Sequence, residues 1–206
     1  MSVPQRAVLV FLTVLSMAGL TSRSAFAEAR VLVLDPAASK VSFTLDATGH
    51  DVEGTMALKA GRVTFDPASG QASGEIVLDL RSARTGNEGR DKTMHEDVLE
   101  RATYPTAVFR AETVEGNVAA TGASQITLGG TLSFHGADHK LKLPAKVEMR
   151  GGRLQAETTF PIPYVEWGLH DPSIMILRVA KVVQVKVAAT GRLEASGSGA
   201  AGAGQR

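Results

Sequence analysis

Hydrophobic and polar residues alternate along most of this chain. Val41, Phe43 and Leu45 share one face against Ser42, Thr44 and Asp46, and Ile76, Leu78 and Leu80 oppose Glu75, Val77, Asp79 and Arg81. Ile126, Leu128, Gly130, Leu132 and Phe134 stay in phase; Leu141, Leu143, Val147 and Met149 alternate with Lys142, Lys146 and Glu148, and Val183, Val185 and Val187 with Gln184 and Lys186. Successive side chains of a strand point to opposite faces, so this period predicts strands with one apolar and one solvated side. Turn-forming clusters divide them: Asp66-Pro67-Ala68-Ser69-Gly70, His135-Gly136-Ala137-Asp138 and Gly151-Gly152. About eight antiparallel strands with short connections are expected, closed as an up-and-down barrel or stacked as a sandwich. Aromatic residues make up 5% of the chain, and the inward faces include Ala47, Ala57, Ala111 and Gly130. Such faces fit both a packed sandwich core and a barrel able to hold one slender ligand.

The rhythm breaks between Thr85 and Phe109. A polar loop bounded by Gly86 and Gly89 leads to Arg90-Asp91, and a short helix is expected near residues 93–102. Thr93 and Glu96 have the spacing of a capping box, Met94, Val98 and Leu99 form one apolar face, and Asp97 with Arg101 makes an i,i+4 pair. Pro105 forces Tyr104 out of the helical region and ends the element. A lone amphipathic helix in an all-β chain needs a surface to cover, and the open end of the strand assembly is the candidate.

The ends of the chain are set apart from this unit. Arg6, the apolar run Ala7–Leu20 and Ala25-Phe26-Ala27 have the form of a signal peptide over residues 1–27. Ala195 to Arg206 is a Gly/Ala/Ser-rich stretch without periodicity and reads as a flexible tail. The folded domain is thus expected over 28–194, in a periplasmic or secreted protein. Without residues 1–27 the chain keeps 20 of its 22 basic residues against 21 acidic ones. That balance lacks the basic stripe a nucleic-acid partner requires. The chain has no cysteine, which excludes disulfides, thiolate metal sites and lipidation at a cysteine.

The candidate chemistry is sparse. His135 and His139 have the spacing of a metal pair on a helix but sit in a predicted hairpin turn, where that spacing loses its meaning. His95-Glu96 lacks the second histidine of a zincin, since Leu99 stands four positions on. No Gly-x-Ser-x-Gly elbow occurs, so catalysis and cofactor binding have no positive support. Arg90-Asp91 fits two readings: an anchor for the loop, or an Arg90 facing an anionic ligand head, for which its planar donor fork is suited. Tyr164 and Trp167, within a proline-rich connection, fit a plug over one end of the core or the wall of a pocket mouth.

The segment RSARTGNEGRDKTMHEDVLERATYPTAVF resembles the central signature of the YceI-like family of exported bacterial proteins. Ser82, Thr85, Gly86, Arg90, Asp91, Tyr104, Pro105 and Phe109 carry the match. LDPAASKVSFTL, GRVTFDPASG and GGTLSFHGADHKLKLP resemble the family's flanking strands. The chain departs from the pattern at Met94-His95-Glu96 and across Tyr164 to Leu177. The resemblance implies an all-β, antiparallel, lipocalin-like barrel around an apolar tunnel that carries a polyisoprenoid, an isoprenoid quinone or a similar long-chain lipid. Phe43, Leu45, Phe65, Leu78, Leu80, Met94, Leu99, Phe109, Leu132 and Phe134 are then the expected lining, with Arg90, Tyr164 and Trp167 toward the mouth. Transient membrane contact fits such a carrier, and the oligomeric state stays open, a dimer included. The alternative is a ligand-free periplasmic stress-response or protein-interaction module.

Overall fold

A computed structural model describes residues 29–174 and 178–195. The leader expected over residues 1–27 and the tail after Ala195 lie outside the described residues. Among the described residues nine strands form one antiparallel sheet: β1 (Arg30–Leu34), β2 (Lys40–Leu45), β3 (Val52–Phe65), β4 (Ala72–Arg84), β5 (Thr106–Gly116), β6 (Gly122–Phe134), β7 (Ala137–Arg150), β8 (Arg153–Ile162) and β9 (Val183–Ala195). The order runs β3-β2-β9-β8-β7-β6-β5-β4, and pairing of β3 with β4 closes the sheet into a barrel. Closure removes the exposed edges that a sandwich would leave.

The barrel has eight staves because β1 and β2 share one. Both pair with β3 on one side and β9 on the other, β1 against Arg62–Phe65 and β2 against Val52–Met56. Asp35-Pro36-Ala37-Ala38-Ser39 interrupts this stave. Asp35 Oδ1 accepts from the Ala37 and Ala38 amides at 3.0 and 3.3 Å, folding the chain into a turn. The Asp35 amide donates to the Thr190 carbonyl at 2.8 Å and the Thr190 amide donates to Ser39 Oγ at 3.0 Å, which carries the bonding across the gap.

All connections of one end (β2–β3, β4–β5, β6–β7 and β8–β9) gather at the top of the barrel, and β3–β4, β5–β6 and β7–β8 at the bottom. The lower interior is solid. Val41, Leu58, Val63, Phe109, Ala111, Leu143 and Ala189 are all buried there, and Val147, Met149 and Leu154 form a second cluster toward the bottom. Burying each such large side chain contributes about 1.5–3 kcal/mol.

The inserted helix begins earlier than the sequence pattern predicts. The α-helix α1 spans Glu88–Thr93, and a π-helical turn continues it over Met94–Val98. Asn87 is the N-cap, its side chain accepting from the Arg90 amide at 3.0 Å. The Thr93–Glu96 capping box does not form, because Thr93 already lies in helical conformation and makes no capping bond. The expected Asp97–Arg101 pair is replaced as well: Lys92 and Glu96 pair at 4.0 Å, and Arg101, beyond the helix end, donates to the Arg81 carbonyl at 3.2 Å. Glu100, with φ of 44°, turns the chain out of the helix.

Candidate functional site: an apolar cavity under the helix

The upper half of the barrel is hollow. A cavity of about 480 Å3 lies between the strands, the helix and the β8–β9 connection, within the size range of small-molecule sites. Its walls are inward positions of the alternating pattern: Phe43 and Leu45 of β2, Leu78 and Leu80 of β4, Leu132 and Phe134 of β6, Phe160 and Ile162 of β8, Val183 and Val185 of β9. Phe43 can lie flat against β3 because Gly54 stands opposite; a Cβ there would overlap its ring.

The helical segment supplies the roof through Met94, Val98 and Leu99. The π turn makes this possible, since the Leu99 amide bonds to the Met94 carbonyl five residues back, at 2.8 Å, and so stacks Leu99 with Met94. Three contacts tie the roof to β4 and to Thr85 just beyond its end. The Thr85 amide and hydroxyl both donate to Asp91 Oδ1, at 2.7 and 2.6 Å. The buried His95 places Nε2 at 2.7 Å from the Ala83 carbonyl. Arg101 makes the third contact, at Arg81.

Desolvation opposes ionisation of Asp91, but the hydrogen bonds from Thr85, with the nearby His95 and Arg90, outweigh it and hold its carboxyl below the usual value. Asp91 is therefore a charged acceptor at neutral pH. Arg90 turns to the same threonine, with Nε donating to Thr85 Oγ1 at 2.9 Å and Nη2 to the Thr85 carbonyl at 3.3 Å, and it also borders the cavity. Arg90 and Asp91 thus meet through Thr85, as an anchor. His95 holds the roof from behind and does not border the cavity.

The polar groups on the lining gather toward the mouth: Thr48, His50, Thr85, Arg90, Thr93, Tyr164 and Arg178, with no carboxylate among the lining side chains described. The Tyr164 hydroxyl donates to the Ala180 carbonyl at 3.0 Å. Burial, aided by the charge of Asp171, pushes its pKa up to about 12, so it stays a neutral donor at physiological pH.

Of the residues singled out in the sequence, Phe43, Leu45, Leu78, Leu80, Arg90, Met94, Leu99, Leu132, Phe134 and Tyr164 border the cavity. Phe65, Phe109 and Trp167 do not. Phe65 is buried at the lower end of β3 opposite Arg30 and Ala72, and Phe109 is buried in the lower interior. Trp167 stacks on His139 at 3.7 Å and meets Phe134 edge-on at 6.4 Å, behind the lining. Val183 and Val185 line the cavity although only their alternation was noted, and Met56, Ala83 and Thr85 carried no lining signal in the sequence. The turn at His135-Gly136 is a two-residue hairpin, as the turn signal predicts, but its histidines pack inward. The His135 ring lies 4.4 Å from that of Tyr104, with Nε2 3.3 Å from Glu100 Oε1 but outside hydrogen-bond geometry.

Two solved structures share this architecture. BcnA of Burkholderia cenocepacia superposes with a TM-score of 0.64 at 22% identity, covering 76% of this chain and 98% of that protein. A polyisoprenoid binding domain from Saccharophagus degradans, implicated in plant cell wall breakdown, superposes with a TM-score of 0.62 at 19% identity, covering 79% and 98%. At these identities the likeness concerns the fold. No curated protein sequence matches the chain. Residues 32–191 match the YceI-like domain, which spans nearly all of the barrel, and the chain therefore belongs to the YceI-like family.

Proposed function

We propose that this protein is a periplasmic carrier that shelters the apolar chain of one isoprenoid or similar lipid in the upper barrel. The observation that carries the reading is the cavity itself: enclosed by strands and roofed by an amphipathic helix, apolar within, its polar groups gathered at the mouth. The polyisoprenoid binding assigned to the Saccharophagus degradans domain supports the choice of ligand class. The leader-like residues 1–27 support export. Among the described residues no helix is long and apolar enough to cross a membrane.

Binding needs no reaction, only burial. Each methylene removed from water contributes about 0.8 kcal/mol, so a chain of ~15 carbons offers about 12 kcal/mol. Lost translational freedom and chain ordering subtract several kcal/mol or more. The remainder gives useful affinity with no special head contact, and Arg90 with the mouth residues then discriminates among head groups. Native mass spectrometry of protein purified without detergent tests the reading. A retained lipid is expected; a bare polypeptide mass, with no binding of added prenyl alcohols, would sink it.

A further inference from the structure

Among the described residues two large apolar side chains are exposed, Ile174 at 63% and Val182 at 38%. Single exposed apolar residues are common on soluble proteins and by themselves mean little. These two both belong to the connection between β8 and β9, which borders the cavity mouth. Ile174 is itself part of the lining, and so is Val183, the neighbour of Val182. Apolar surface therefore runs from the interior of the barrel out to the solvent at this one rim.

Hydrogen bonds hold the rim in place. The Val179 amide donates to Ser173 Oγ at 3.1 Å, which fixes the chain next to Ile174. The Thr48 amide donates to the Arg178 carbonyl at 2.9 Å and the Ala180 amide to the Asp46 carbonyl at 2.7 Å, so the β2–β3 turn braces the segment that leads to Val182. Arg178 and Lys181 are exposed on that segment, and Arg178 lines the mouth, as His50 does. Asp46 and Asp51 are exposed on the turn, and Asp171 accepts from the Ser173 amide at 3.0 Å. These acids offset the bases, so the apolar residues lead any contact the rim makes.

A chain that leaves the cavity through water exposes its methylenes, and each one lowers the population of the exposed chain about fourfold. For a long isoprenoid, release into water is therefore slow, and exchange needs an apolar phase at the mouth. We infer that the rim marked by Ile174 and Val182 is a membrane-docking surface: it sets the mouth against a phospholipid bilayer, with the two aliphatic side chains at the acyl boundary and Arg178 and Lys181 at the lipid phosphates. This rests on the carrier reading above and adds the place where cargo is exchanged. Two aliphatic side chains give weak, reversible attachment, as suits a carrier that has to leave again.

The test uses the delipidated chain from Glu28 onward, as export would leave it, with vesicles of phosphatidylethanolamine and phosphatidylglycerol. The unaltered protein should float with the vesicles. Its transfer of a fluorescent prenyl lipid between two vesicle populations should quicken as acceptor vesicles are added, the sign of exchange by contact. Val182→Asp should lower vesicle binding about tenfold and remove that dependence. Its affinity for farnesol without vesicles should stay as it was, because Val182 lies outside the lining. Ile174→Asp should weaken vesicle binding likewise, and Lys181→Gln by about fivefold at most, at low salt. Val182→Leu, which keeps the rim apolar, should retain both binding and transfer. No flotation of the unaltered protein, or flotation unchanged in both aspartate variants, overturns the docking surface and leaves the carrier standing. So does a dimer in sedimentation that both aspartate variants dissolve, since a second copy would then cover the rim. Failure of farnesol to bind the unaltered protein overturns the carrier reading and the docking surface with it.

Discussion

Asp91 shows how a single carboxylate fixes the roof of the cavity. It accepts from both the amide and the hydroxyl of Thr85, which lies where β4 leaves the barrel, and Arg90 grips the same threonine from the other side. Hydrogen bonds to a charged group contribute about 1.5–3 kcal/mol against 0.5–1.5 for neutral ones. Asp91→Asn keeps an acceptor but not the charge, so a loss of about 1–2 kcal/mol at pH 7 is expected. The sign of the pH dependence follows from the lowered pKa. The charge-dependent stability is fully present above the unfolded value near 3.8 and is lost as pH falls through the folded value. Urea unfolding of both proteins should therefore show a gap at pH 7 that narrows below about pH 4. A gap that is absent at pH 7, or unchanged under acid, removes Asp91 from this role. The sequence presented Arg90-Asp91 as a charged pair and left its partner open. Adjacent residues on a helix diverge in direction, so their meeting point in the fold, Thr85, is legible only once β4 and α1 are placed.

At the scale of elements, the wall parts between the upper halves of β7 and β8. Pairing covers Ala145–Arg150 against Arg153–Thr158 and stops there, although β7 continues upward along β6 and β8 along β9. Two prolines account for the limit. The two-residue turn Gly151-Gly152 makes Arg150 and Arg153 a hydrogen-bonded pair, so every second residue from there faces the seam. Continued at the same register, Pro144 and Pro161 both fall on seam-facing positions, and neither has an N–H to donate. Above them the connection from Pro163 to Leu169 lies at the gap, with Trp167 stacked on His139 of β7. Trp167→Ala should cost about 2 kcal/mol, less than the 3–5 typical of a fully buried ring, because Trp167 is half-buried. Hydrogen exchange should quicken across residues 163–169 while Arg153–Thr158 keeps its protection; equal loosening of both would mean that the tryptophan supports the whole barrel. The alternation Leu141, Leu143, Val147, Met149 keeps its phase straight through Pro144, so period alone reads β7 as one strand without showing where its outer edge stops pairing. The early start of the helix is hidden for a related reason. Asn87-Glu88-Gly89 has loop composition, and only the cap from Asn87 to the Arg90 amide reveals that the helix has already started.

The whole molecule is a barrel with one solid half and one hollow half, and the two differ in how they are stabilised. Which residues point inward was legible from period 2, because the pleat dictates it. Depth along the barrel was not: Ala107 and Phe109 share a face and a strand, yet one lines the cavity and the other underlies it. Depth depends on stave stagger and on which rings fill the interior, neither of which alternation encodes. The solid half holds itself together through side-chain contacts. The hollow half lacks partners for its lining until a chain occupies it, since an unfilled void forfeits dispersion contacts on one side. A ligand of the native state at a hundred times its dissociation constant adds about 2.7 kcal/mol. For a chain of this size that corresponds to a rise in Tm of about 5–10 °C. Farnesol added to delipidated protein should produce that shift, and hydrogen exchange should slow most in Glu88–Leu99 and around Tyr164, where the cavity is roofed and closed. Slowing centred instead on Val147, Met149 and Leu154, or a Tm that does not move at saturation, would place the ligand outside the hollow half.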